Sequence, residues 1–165
     1  MKWMAPEPWQ ALKQGKECPM CADIHLAENP HSVKVCELSQ SIVRLPRNQS
    51  MRGWTLVVLK RHAAELFELS PDELHGFWDD VTLVAHALDR LYAPAKINYL
   101  IFGHVCPHLH CHLLVHGYDA DPHKPVKMDE HEVFLKDEEY RELVHALRAE
   151  IVQSSPYSAK IRRDS

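Results

Sequence analysis

Between residues 106 and 116 the chain reads CPHLHCHLLVH, with histidines at 108, 110, 112 and 116. An extended backbone sends successive side chains to opposite faces, so alternate residues stand about 7 Å apart on one face. Read as a strand, the run lines up His108, His110 and His112 and turns Leu109, Cys111, Leu113 and Val115 toward a core. Imidazoles removed from water need hydrogen-bonding partners. Three uses fit the pattern: ligation of a metal ion, a nucleophile flanked by groups that hold an anion, or a solvated polar face.

A second signal lies near the start. Cys18-Pro19-Met20-Cys21 has the Cys-x2-Cys spacing of half a tetrahedral zinc site. Two free cysteines beside Pro19 are the alternative, and a redox pair lacks the βαβ context it needs. The five cysteines (Cys18, Cys21, Cys36, Cys106, Cys111) are an odd number. The opening MKWMAPEPWQ contains no apolar run of the kind a signal peptide needs. No stretch approaches the roughly 20 apolar residues of a membrane span. The expectation is a reducing cytoplasm, where a Cys-x-x-Cys pair more often signals metal or redox chemistry than a disulfide.

Composition bounds the partners. Apolar residues make up 45% and charged residues 25%, the balance of a globular domain rather than a disordered chain. The formal charge of −4 offers no general attraction to nucleic acid or to an anionic membrane, so a phosphate-bearing ligand must be held locally. At 165 residues the chain suits one domain over 1–165, with a body over about 16–152 and a polar tail over 153–165.

The elements that must position these residues follow from patterning. Pro6 to Gln14 suits a short helix with Trp9 and Leu12 turned inward. Ser32 to Leu38 and Ser41 to Leu45 read as strands close enough to pair. Gly53 opens WTLVVLK, an apolar strand buried on both faces. Ser70-Pro71-Asp72-Glu73 is a helix start, with a capping serine, proline at the first helical position and a glutamate to close the box. Leu74, Phe77, Val81, Val84, Leu88 and Leu91 then recur at helical spacing until Pro94. KINYLIFG from Lys96 is a further strand, and Asp137 opens a second helix with Tyr140, Leu143, Val144, Leu147 and Ile151 on one stripe. About five strands, a long central helix and a C-terminal helix give an α+β fold.

His108-Leu109-His110-Cys111-His112-Leu113-Leu114 resembles the His-φ-His-φ-His-φ-φ motif of the histidine triad (HIT) superfamily of nucleotidyl hydrolases and transferases. GWTLVVLKRHAAEL resembles the strand and turn before that family's long helix, and INYLIFGHVCPHLHCH its bacterial triad segment. The resemblance spans roughly residues 16 to 120. It implies a HIT-like antiparallel sheet and a homodimer formed beside the helix from Leu74 to Leu91 or the KINYLIFG strand. It also implies a nucleotide substrate of the dinucleoside polyphosphate or nucleoside phosphoramidate type. His110 would attack the α-phosphorus to form a nucleotidyl-histidine, and His112 would donate to phosphate oxygens. By the same resemblance Cys18 and Cys21 would share a structural zinc ion with His62 and His108.

Several positions depart from the family pattern. Trp54 replaces a histidine and either packs against a base or fills the core. His104 stands where the family has a phosphate-binding amide, and Val105 where one branch has a serine. His116 follows Val115 where Pro-Arg is common. Asn48 and Gln49 fall near the ribose-binding region, with a solvated turn as the equal reading. A zinc-bearing nucleotide-binding or scaffold protein with little turnover is therefore the second function, and a metal hydrolase ligated by His108, His110 and His112 the third.

Overall fold

The signals around Ser70 build the helix they predict. In the computed structural model, which describes residues 3–124, 126, 128 and 131–154, the long helix runs Pro71–Tyr92. The Ser70 hydroxyl accepts from the Glu73 amide and the Glu73 carboxylate accepts from the Ser70 amide, a closed capping box. Ala93 in a left-handed conformation (φ 42°) ends the helix one residue before Pro94. The order among the described residues is α1 (Pro6–Lys13), α2 (Pro19–Asp23), β1 (Ser32–Glu37), β2 (Ser41–Pro46), β3 (Thr55–Leu59), α3 (Pro71–Tyr92), β4 (Lys96–Ile101), β5 (His110–His116) and α4 (Asp137–Ser154), with a 3-10 turn at Leu66–Glu68. The tail expected over 153–165 lies outside the described residues beyond Ser154.

The five strands form one sheet in the order β1-β2-β3-β5-β4, every neighbour antiparallel. The fold is α+β, as the patterning predicts. Its two faces have different jobs. Val57 and Leu59 of β3 and Cys111 and Leu113 of β5 join Phe77, Val81, Val84 and Leu88 of α3 and Leu147 and Ile151 of α4 in the main core. Alternation sends Leu56 and Val58 to the opposite face, where Val58 packs with Ile24 and Ile42 in a smaller cluster near α2. Val58 pairs with His110 and Leu56 with His112 across the β3–β5 ladder, which places both imidazoles on that second face. The wholly apolar look of β3 is thus explained: one set of its side chains feeds the core and the other floors the site.

β5 begins at His110, not His108. Leu109, just before it, is clamped on both sides, its amide donating to the Ala63 carbonyl at 2.7 Å and its carbonyl accepting from the Leu59 amide at 3.0 Å. Leu109 keeps its place in the core, while His108 leaves the strand plane toward α2. The three imidazoles are consequently not equivalent.

Candidate active site and metal centre

His108 is fully buried, and its ring is oriented by one bond. Nε2 lies 2.7 Å from the Leu59 carbonyl, which only accepts, so the hydrogen sits on Nε2 and Nδ1 is bare. That bare nitrogen lies 3.5 Å from Cys18 Sγ and 3.4 Å from Cys21 Sγ. His62 repeats the arrangement: Nε2 is 3.0 Å from the Lys13 carbonyl and Nδ1 is 3.4 Å from Cys21 Sγ. The four donor atoms of Cys18, Cys21, His62 and His108 all lie within 4.8 Å of one another. Around a tetrahedral ion with metal–sulfur and metal–nitrogen bonds of about 2.3 and 2.0 Å, a sulfur–nitrogen edge is about 3.5 Å, which the three sulfur–nitrogen distances of 3.4, 3.4 and 3.5 Å match. Both histidines present the nitrogen opposite a carbonyl-bound N–H, the outer-shell pattern that fixes a metal-binding tautomer. Burial pushes the His108 pKa down to about 4, which keeps its lone pair available.

The knuckle that carries the cysteines is a single helical turn, α2, with Cys18 immediately before Pro19 at its start. Gly15 has a φ of 81°, and a Cβ there would stand 3.1 Å from the His62 ring. Gly15→Ala therefore meets two penalties, a left-handed alanine and a displaced ligand. Disturbing the support of a ligand typically lowers metal affinity about 10–100-fold. Competition against a chromophoric chelator should show a loss of that order, and an unchanged affinity would remove Gly15 from the support of the site.

The remaining two triad residues form a separate centre. His110 is 6% exposed, and its Nδ1 lies 2.6 Å from the backbone carbonyl of His108. The carbonyl must accept, so Nδ1 carries the hydrogen and Nε2 has a free lone pair. Burial lowers the His110 pKa, outweighing that carbonyl bond, and so favours the neutral ring. The His112 ring stands 4.8 Å from His110 and 5.7 Å from Phe102, centroid to centroid, and Trp54 Nε1 lies 3.1 Å from its Nδ1. Burial, with His110 adding to it, pushes the His112 pKa down to about 3. Leu56 and Val58, the cross-strand partners of His112 and His110, floor a cavity of about 290 Å³ that is walled by Met20, Ile24, Arg44 and Cys106 and lined by neither imidazole.

The structure thus draws the candidate residues into two groups, Cys18, Cys21, His62 and His108 in one, and His110, His112 and Trp54 in the other. The other expected contacts are placed differently. His104 is exposed and packs between Trp3 and Phe102, with ring centroids 6.4 and 5.7 Å away. Asn48 spends its amide on backbone: Nδ2 donates to Met128, and Oδ1 accepts from Ser50 and Val133. Gln49 is buried and braces the turn into β3, donating to the Pro46 and Trp54 carbonyls and accepting from the Gly53 amide. That brace presents Trp54 to His112. His116 lies at the far end of β5, opposite Lys96.

Arg44 plays a part that sequence patterning does not assign. It is 1% exposed and donates to the Ser32 hydroxyl, to the Ile24 and Leu26 carbonyls and to the Ser32 carbonyl, tying the segment after α2 to the sheet. A lone arginine within SIVRLP, an otherwise apolar strand, was the available signal. Cys106 stands near the same knuckle. Burial and the neighbouring Cys18 sulfur push its thiol up to about 12, so without metal it stays protonated beside the knuckle.

Comparison with known proteins agrees with this geometry. The family profile described as the HIT domain matches residues 27–117. A histidine triad protein from Bradyrhizobium japonicum has a solved structure that aligns with a TM-score of 0.67 at 24% identity, over 73% of this chain and 91% of that one. A histidine triad protein from Marinobacter aquaeolei aligns with a TM-score of 0.67 at 20% identity, over 76% and 92%. A zinc-bound histidine triad family protein from Mycobacterium smegmatis aligns with a TM-score of 0.59 at 22% identity, over 83% and 94%. At these identities the structures establish a shared fold. No curated protein matches the chain.

Proposed function

The chain belongs to the HIT domain family, and from that premise we propose that it cleaves a nucleoside phosphate derivative at its α-phosphate through a covalent nucleotidyl-histidine on His110. The observation that carries this reading is the 2.6 Å contact from His110 Nδ1 to the His108 carbonyl, which leaves Nε2 bare, neutral and rigidly aimed. Nε2 attacks phosphorus, a P–N bond forms, and the bond to the leaving group breaks with its electron pair. Water then attacks the same phosphorus and releases a proton to solvent, the P–N bond breaks with its electron pair returning to Nε2, and His110 recovers its starting state. Splitting one displacement into two is the advantage of a covalent route. His112 donates to the phosphate oxygens as charge builds on them, where a fixed donor is most effective. The nucleoside sits in the cavity floored by Leu56 and Val58, whose apolar walls suit a base. Dinucleoside polyphosphates and nucleoside phosphoramidates both present the required α-phosphorus. Hydrolysis, phosphorolysis and transfer to another acceptor share the first step and differ only in what attacks second.

Zinc is the ion we assign to Cys18, Cys21, His62 and His108. Four protein donors fill a tetrahedral shell and leave no position for substrate, the mark of a structural rather than a catalytic ion. When bound, it joins α2 to the turn after β3 and to the residue whose carbonyl orients His110. His110 and His112 stand outside this donor group, so the structure gives no support to a metal held by the three triad histidines together. All five cysteines are free, which suits a reducing cytoplasm. Among the described residues no helix is long and apolar enough to cross a membrane.

Intact mass spectrometry after brief mixing with adenylyl and guanylyl substrates, quenched at alkaline pH to preserve a phosphoramidate bond, tests the enzymatic reading. An added nucleotidyl mass that disappears in His110→Ala is expected. Saturable nucleotide binding with neither adduct nor turnover would favour the zinc-bearing nucleotide-binding alternative instead.

We also propose a homodimer through the outer edge of β4. Among the described residues that strand has no partner on one side, and it exposes Tyr99 at 46% and Ile101 at 37%. An apolar strand edge left open invites pairing with another chain, and two-fold pairing is the commonest closed form. Sedimentation velocity at micromolar concentration should give a dimer that Tyr99→Glu shifts toward monomer. A wild-type monomer would refute it.

A further inference from the structure

Trp54 stands where the histidine triad pattern carries an imidazole, and an indole has different chemistry. Its side chain is nearly buried, and its ring plane lies 34° from that of His112 with centroids 5.6 Å apart. Nε1 of Trp54 is 3.1 Å from Nδ1 of His112. An indole nitrogen only donates; it keeps its hydrogen and offers no lone pair. Nδ1 of His112 is therefore the acceptor and bears no hydrogen. In a neutral ring the hydrogen must then sit on Nε2.

We propose that Trp54 is a positioning residue that locks His112 as the neutral Nε2–H tautomer, so that His112 offers one fixed, uncharged donor to phosphate. The phosphate role rests on the function proposed above; the tautomer does not. The consequence is a division between neighbouring rings. His110 holds its hydrogen on Nδ1, against the His108 carbonyl, and keeps Nε2 bare for attack. His112 holds Nδ1 bare, against Trp54, and keeps its hydrogen on Nε2. Two imidazoles 4.8 Å apart are thereby sorted into nucleophile and donor before substrate arrives. A histidine in place of Trp54 offers either a donor or an acceptor and leaves this choice open, whereas an indole closes it.

The surroundings agree. Phe102 flanks His112 at 5.7 Å, and His104 lies beyond Phe102. Leu56 and Leu100 are the residues opposite it on the two adjacent strands. Among the described residues His110 is the titratable group in ring contact with His112, and no carboxylate is recorded against either ring nitrogen. An imidazolium there would set an N–H against the indole N–H, so the contact that fixes the tautomer also opposes the charge.

Long-range proton–nitrogen correlation spectra of the full chain, loaded with zinc and labelled with nitrogen-15, read the tautomer directly. His112 signals are assigned from their absence in His112→Gln. We expect a protonated Nε2 and a bare Nδ1 on His112 in the wild type from pH 8 to pH 5. Trp54→Phe keeps an aromatic ring without the N–H and should give a mixture of tautomers that titrates at higher pH, with the His110 pattern unchanged. With a nucleotidyl substrate, kcat of Trp54→Phe should fall roughly tenfold, the scale of one neutral hydrogen bond, with KM little altered. A wild-type His112 carrying its hydrogen on Nδ1 overturns the proposal, whether or not the variant folds. So does a folded Trp54→Phe whose His112 spectrum matches the wild type. A wild type with the expected tautomer and no turnover overturns the enzymatic reading and leaves this one standing.

Discussion

Cys18→Ser, or exhaustive chelation, is expected to lower the melting temperature by about 10 °C or more. Cys18 precedes α2 and Cys21 lies within it, His62 follows β3 and His108 precedes β5, so three segments distant in sequence meet at one point. Without the ion, the cluster leaves two sulfurs and two bare imidazole nitrogens facing one another in a largely buried site. Burial pushes the Cys21 thiol up to about 11, with Cys18 adding to it, so without metal the thiol form is retained. Loss of a metal belongs to the small class of changes that cost about 4 kcal/mol or more, and each kcal/mol moves the midpoint by about 2–4 °C in a domain of this length. Because Phe77, Val81, Val84 and Leu88 form a core on the opposite face of the sheet, apo protein should remain folded at low temperature. Differential scanning calorimetry in zinc-free buffer, with the bound metal counted, is the check. An unchanged midpoint in Cys18→Ser would end the structural-zinc assignment.

Acid should act in the same direction. His108, His110 and His112 all have pKa values below the ordinary histidine value, with burial as the leading cause. The unfolded chain binds protons on these rings near pH 6.5, and the folded one resists until lower pH. Their neutral burial costs nothing extra above pH 6.5. As pH falls from about 6.5 toward 4, the unfolded state takes up protons first and stability declines. Displacement of the metal by protons on its ligands adds to the same slope.

How much of this was legible in the sequence depends on the range of the interaction. The box at Ser70 and Glu73, the stripe on α3 and the alternation in β5 are local, and periodicity carries them without knowledge of the rest of the fold. The Cys-x2-Cys half-site is also local. Its completion by His62 and His108 is not, since those residues lie 41 and 87 positions from Cys21. Only a resemblance to known proteins brought them together. The departure of His108 from the strand was hidden for a related reason. Alternation predicts one face for three histidines, but the Leu109 clamp to Ala63 and Leu59 is a tertiary contact that a period of two does not encode. Trp54 and Arg44 show the same limit from opposite sides. An indole in an apolar strand reads as core until His112 is found beneath its N–H, and an arginine reads as surface until three carbonyls and a hydroxyl are found around it.

His110→Ala is expected to abolish adduct formation and reduce turnover by at least a thousandfold while leaving nucleotide affinity within a few fold. The asymmetry follows from position. The cavity walls that would grip the nucleoside, Met20, Ile24, Leu56 and Val58, are untouched by the change, whereas the only bare, carbonyl-oriented imidazole nitrogen of the pair is removed. A lost nucleophile cannot be replaced by its neighbour, because His112 is turned by Trp54 to offer a donor rather than a lone pair. His112→Gln removes a different function. It should still permit a slow adduct, with turnover down roughly a hundredfold or more, as when one donor to developing charge is lost. The pH profile separates the two roles further. Attack requires neutral His110, whose pKa is held below the ordinary histidine value by burial. Turnover by wild type should therefore stay level as pH drops from 8 through 6.5 and fall only below that, where His110 takes a proton. Calorimetric titration with nucleoside monophosphate, set beside single-turnover kinetics for both variants, reads binding and chemistry apart. Equal losses of affinity and rate in His110→Ala would mean that His110 holds the ligand and does not attack it.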